Sequence, residues 1–353
     1  MTHASQTAAT QAASTRYREL TWQRLLMRSS AANIGVLSVM VGLATVFASL
    51  AYPGEFNFYT AGNLGVLSQQ VPIMAIVAIG AGFLMISGEF DLSVAGIYTV
   101  VPYVVAIASV RWALHPGLAL LIGLAVAVVV ALVNGLVTVR LRVPSFIATL
   151  GMMFFLRGVS RWVAIDPKTG QPGPIPFDLG DTFHALTAGT LFGPVYAQAL
   201  WLLGVALLAV VLLTRHTFGN HLMATGGDVD ASEKNGIDTR RIKVLAFVVC
   251  AVCAALAGVL QSARIGVVSP ASTLNGLELA SIAACVVGGV HLFGGRGNVL
   301  GMVLGATLLV VVENLLVLVR APGEYSPAFV GAIVIASVIF NSNVGAAGNR
   351  AKT

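Results

Sequence analysis

At 353 residues, of which 57% are hydrophobic and only 10% charged, the chain is too apolar for a soluble globular protein. A mean hydropathy of +0.88 and 38 glycines describe a polytopic membrane protein with closely packed helices. The net charge of +6 does not mark a nucleic-acid binder, because the basic residues lie in short connections between apolar runs, as membrane topology requires.

Residues 1–30 are rich in Ala, Thr, Ser and Gln, cannot bury enough surface to order, and are expected to form a disordered cytoplasmic tail. Arg16, Arg18, Arg24 and Arg28 precede an apolar run, and Ser49, Leu50 and Ala51 resemble a cleavage site. Yet Ile34–Tyr52 is longer than a signal-peptide core, so it reads as an uncleaved first helix. A turn-rich external stretch follows, then a second span over Leu64–Ile86 that carries Gln69 and Gln70 and that Pro72 should kink.

The segment SGEFDLSVAG places two acids in a glycine-bounded break before an apolar run over Ile97–Val110. Gly88–Leu92 echoes Gly288–Leu292, a match of glycine and leucine alone that is weak support for an internal repeat. Pro116 opens the next span, which ends near Val139, and LRVPSFIATLGMMFFLRGV holds a turn and a fifth span. Pro167, Pro172, Pro174, Pro176 and Pro194 exclude a long helix from the first half of residues 164–196, the main external loop. Ala197–Leu213 returns across the membrane. Polar residues 214–243 follow, and Val244–Leu260, Glu278–Val290, Val299–Val319 and Ala328–Phe340 complete the spans. The fold class is therefore all-α, a polytopic membrane protein with about ten transmembrane helices. The transmembrane domain occupies residues 31–345, and a second short cytoplasmic tail occupies residues 346–353.

Two apolar runs, Ile282–Val290 and Val299–Val312, are joined by His291, Gly294, Gly295, Arg296, Gly297 and Asn298, a glycine-dense reversal that reads as a hairpin of two transmembrane helices. A nucleotide-binding loop is the rival reading, but G-x-x-x-x-G-K-[ST] is absent and no strand precedes the glycines. Helix packing explains most of them. Cys250-x-x-Cys253 invites a redox reading, but inside an apolar run packing is the simpler account, as it is for Cys285.

If the amino terminus is cytoplasmic, only Arg111, Arg157, Arg161, Lys168, Arg264 and Arg320 of the 20 Lys and Arg lie outside. That distribution obeys the positive-inside rule, places both termini in the cytoplasm, and puts residues 164–196 outside. Within the cytoplasmic stretch 214–243, Asp230, Glu233 and Gly236 have the spacing of a capping box closed by a C-terminal glycine, and predict a helix of one or two turns. Such a helix is marginal alone, so it is held against the membrane domain or a partner, unless the stretch is only a solvated loop.

From about Asn63 onward the chain resembles the membrane-spanning permease subunits of bacterial sugar-importing ABC transporters, the ribose permease family. The segments that carry the resemblance are GEFDLSVAG, NGLVTVRLRVPSFIATLGMMFFLRG, ATGGDVDASEKNGI, AALAGVLQSARIGVVSP and GLELASIAACVVGGVHLFGGRGNVLG, in family order. Glu89 and Phe90 stand where glycine and isoleucine are frequent, and Asn235 where serine is. The resemblance implies an inner-membrane chain that pairs with a second copy or homologue, with cytoplasmic ATPase subunits, and with a periplasmic sugar-binding protein. It implies no cofactor in this chain, ATP and Mg being bound by the partner ATPase. It also implies that the loop matching residues 224–237 contacts the ATPase, with Gly226, Gly227, Ala231, Gly236 and Ile237 keeping the pattern beside Asp230 and Glu233.

No catalytic or metal-binding residue is expected. Polar groups within apolar runs are candidates for lining a path: Gln69, Gln70, Asp91, Asn134, Glu278, Glu313 and Asn314. Helix-to-helix hydrogen bonding is the commoner role of such groups. An intramembrane carboxylate is costly unless paired or facing water, so Asp91, Glu278 or Glu313 could instead carry the coupling ion of a secondary transporter, the alternative function.

Overall fold

A computed structural model describes residues 30–51, 56–166, 169–269 and 276–320, with isolated positions between 322 and 335. The expected tails and most of the expected last span, Ala328–Phe340, lie outside the described residues. The chain runs α1 (Ser30–Ala51), α2 (Ala61–Ile86), α3 (Val94–Ala106), α4 (Pro116–Arg140) and α5 (Ser145–Val163). After these come β1 (Ile175–Pro176), α6 (Asp181–Thr187), β2 (Thr190–Phe192), β3 (Val195–Tyr196), α7 (Gln198–Thr214), α8 (Thr217–Gly227) and α9 (Val229–Lys234). The last elements are α10 (Thr239–Ile265), β4 (Val267–Val268), α11 (Leu277–Val287) and α12 (Val299–Leu318).

Six of these helices are long and apolar enough to cross a membrane, counting α3 with the π-helical turn Ile107–Arg111 that extends it. There are seven if α7 and α8, bent by 69°, form one span. Leu200, Leu203, Leu207 and Leu208 on α7 and Phe146, Phe154, Phe155 and Trp162 on α5 are exposed, as expected of surfaces that meet lipid rather than water. Pro72 lies inside α2, which continues through it as one helix.

Among the described residues the count falls short of the ten expected spans in three places: α1 counts only as a shorter apolar helix, Val41–Ala51, most of the last expected span lies outside the described residues, and the third is the run before α12. The run over Glu278–Val290 yields only α11, 11 residues long and too short to cross alone at 1.5 Å per residue. Gly288 and Gly289 end it, and Gly289 has φ +79. The hairpin itself is present. A Cβ on Gly288 would overlap the Gly301 carbonyl, and one on Gly305 the Ala284 carbonyl, so α11 and α12 meet backbone to backbone.

α10 runs through the middle, packed on α2, α3 and α4, and a Cβ at its Gly258 would overlap the carbonyl of Tyr98 on α3. One end of the bundle is closed by residues 164–166 and 169–196, which are built rather than loose. β1 pairs antiparallel with β4, β2 pairs with β3, and Ser68 Oγ of α2 donates to the Pro194 carbonyl at 2.6 Å. Arg111, Arg157, Arg161, Arg264 and Arg320 lie toward this end. Arg140, Arg142, Arg215, Arg240, Arg241, Lys243 and Arg296 lie at the other.

Candidate functional site

At the end rich in basic residues, three segments far apart in sequence meet through glycine. The amide of Gly295 donates to the carbonyl of Ile86, the last residue of α2, at 2.8 Å. Gly226, near the end of α8, leaves no room between them: its Cβ would overlap the Ile86 carbonyl and lie 2.6 Å from the Gly295 nitrogen. Gly294, at φ +89, passes so close that a Cβ would stand 2.7 Å from the Gly226 carbonyl oxygen and 3.0 Å from the Gly88 Cα. Only glycine satisfies both the left-handed backbone and this approach.

The break after α2 is held by hydroxyls, since its backbone donors need partners where water is scarce. Phe90 N–H donates to Ser145 Oγ at 3.2 Å and Leu92 N–H to Thr149 Oγ1 at 3.0 Å, two residues one turn apart at the start of α5. Asp91 Oδ1 accepts from the Ser93 amide and hydroxyl at 2.7 and 2.6 Å, and Asn134 Nδ2 of α4 donates to the same Ser93 Oγ at 2.8 Å. Burial pushes the Asp91 carboxyl up to about 6, against the pull of these hydrogen bonds. Glu89 forms an ion pair of 2.6 Å with Lys243 in the second turn of α10.

The segment beyond the glycines carries the predicted short helix, α9, but capped differently. Asp228, not Asp230, is the N-cap: its Oδ1 accepts from Ala231 N–H at 2.9 Å. Glu233 does not reach back to the cap; it accepts from Thr239 Oγ1 at 2.7 Å, linking α9 to the start of α10. Gly236, at φ +83, turns the chain after α9 as the spacing implied. Asp230, Ala231 and Glu233 are exposed, Gly227 likewise, while Ile237 packs against the core. α8, an 11-residue helix capped by His216, was not foreseen within the polar stretch.

The seven polar candidates do not converge on one surface. Asp91 and Asn134 share the network just described. Asn314 of α12 is buried and exchanges two hydrogen bonds with Asn63 of α2, at 3.0 and 2.8 Å, towards the opposite end. Glu278 is buried at the start of α11 and faces Arg157 of α5 at 3.6 Å. Gln69 and Gln70 are half-buried on α2, and Glu313 is exposed on α12. Ser93, Ser145, Thr149, Asn63 and Lys243 were not singled out from the sequence. The spacing of Ser145 and Thr149, one turn apart on one helix face, is the one local signal that could have found any of them.

The family described as "Branched-chain amino acid transport system / permease component" matches residues 63–338. The autoinducer 2 import system permease protein LsrC of Yersinia pseudotuberculosis (serotype O:1b, strain IP 31758) is 30% identical over 318 residues, covering 87% of this chain and 84% of its own length. The protein of the same name from Yersinia pestis (strain Pestoides F) is similar to the same extent. No solved structure matches the chain.

Proposed function

The chain belongs to this family of transport-system permease components, and we propose that it forms the path of an ATP-driven importer for a monosaccharide, a polyol or a related hydroxylated signal molecule such as autoinducer 2. It performs no bond chemistry. The hydrolysis of ATP belongs to a separate cytoplasmic subunit, and cargo arrives on a periplasmic binding protein.

The glycine junction carries this reading. It fixes the end of α8 against the end of α2 and the α11–α12 turn, and the short helix α9, with Asp230, Ala231 and Glu233 exposed, follows it directly and packs on α8 and α10. An exposed helix joined directly to a backbone contact with the end of α2 and the turn before α12 is suited to receive a displacement and pass it into the bundle, shifting a balance between two arrangements. The residues for this role are Gly226, Gly227, Asp230, Ala231, Glu233, Gly236 and Ile237. The junction end, where most of the basic residues lie, faces the cytoplasm, residues 164–196 face outward, and about ten helices cross or enter the inner membrane. A second copy or homologue completes the path.

Ala231 is small and exposed at the centre of α9, so a partner surface can approach it closely. Ala231→Arg places a bulky cation there and should weaken ATPase docking by a few kcal/mol, roughly the cost of a poorly satisfied interfacial charge. The test is copurification of the ATPase with the variant. Undiminished assembly would remove α9 from the interface.

A further inference from the structure

Two polar links join the exposed helix to the break that opens α3. Glu233 of α9 accepts from Thr239, the first residue of α10, and about one turn further on Lys243 reaches Glu89 in the break at 2.6 Å. The side chains of Lys243 and Glu89 are only 19% and 13% exposed, so the pair is shielded from solvent beyond what a surface pair enjoys. Beyond Lys243, α10 is packed on α2, α3 and α4, the helices on both sides of the break. The glycine junction beside it is a contact of backbone on backbone with no slack. The ion pair is a contact of two flexible side chains, able to persist while the elements that carry it shift.

We propose that Lys243 and Glu89 are positioning residues for transport. Lys243, acting through Glu89, passes movement of the α9 segment to the break between α2 and α3. This rests on the reading that an ATPase engages α9.

The experiment is deuterium uptake over residues 87–93 in the permease–ATPase complex, with and without MgATP plus vanadate. In the parent complex the nucleotide changes uptake in this segment. In Glu89→Gln and in Lys243→Gln the nucleotide-induced change falls by roughly fivefold or more, the size of a typical coupling between sites. The exchanged pair, Glu89→Lys with Lys243→Glu, restores it. Arg240→Gln, an exposed cation on the same helix, leaves it intact. A merely structural role would alter uptake equally in the presence and absence of nucleotide, which overturns the proposal, as does an undiminished change in both single variants or a failure of the exchanged pair to restore it. A parent chain that holds no ATPase at all would overturn the importer reading and this proposal together.

Discussion

The amide of Gly295 and the carbonyl of Ile86, hydrogen-bonded at 2.8 Å, tie the turn between α11 and α12 to the end of α2, and Gly226 is pressed against both. This contact allows no side chain. Gly226→Ala should therefore cost about 1–3 kcal/mol, as overpacking does where the neighbour is backbone and cannot yield. Gly227→Ala, whose Cβ would meet open space, should stay within about 0.5 kcal/mol of the parent. Thermal unfolding of the purified permease in detergent measures both. Equal effects at the two positions would show that the junction is not tightly closed.

Asn63 and Asn314 answer each other with two hydrogen bonds across α2 and α12. Replacing either by alanine leaves a polar amide without its partner, whereas replacing both removes the need. A double-mutant cycle should give a coupling of about 0.6 kcal/mol, and at most about 1.7, the range found for polar pairs between membrane helices. Unfolding titrations in mixed detergent would read it. A coupling near zero would mean that water or lipid headgroups serve these amides equally well.

How far the sequence discloses this architecture depends on the range of each interaction. The spans were legible because their apolar runs are long, and the break at residues 87–93 because glycine and two acids interrupt such a run. α9 was legible from Glu233 and Gly236, but its cap was displaced to Asp228. Asp228 lies in the extended conformation an N-cap needs, with φ −159 and ψ 109, whereas Asp230 is already within the helix. α11 stopped early because Gly288 meets α12, a contact outside any local window. The pairs Glu89–Lys243 and Asn63–Asn314 were hidden for a related reason. Helices apolar on every side, such as α2 and α12, show length but not which face meets which neighbour. The polar candidates could thus be chosen by type and not by place.

The assignment of the two ends to the two sides of the membrane is open to direct labelling. Cys250, Cys253 and Cys285 are all buried, so a cysteine introduced at an exposed position should react nearly alone. A cysteine replacing Gln171 should react with an impermeant thiol reagent added to intact cells stripped of their outer membrane, and one replacing Glu233 should react only after the membrane is opened. Reversed labelling would turn the molecule over and move α9 away from any cytoplasmic ATPase.

The most direct test of the central claim is uptake into sealed vesicles holding the permease, with its ATPase and binding protein supplied, using radiolabelled autoinducer 2 and a set of pentoses, hexoses and polyols. Uptake of at least one of these should require MgATP and the ATPase together, and should persist when proton and sodium gradients are collapsed. Uptake driven by an ion gradient in vesicles that contain no ATPase would contradict it, and would return Asp91, Glu278 and Glu313 to consideration as ion carriers.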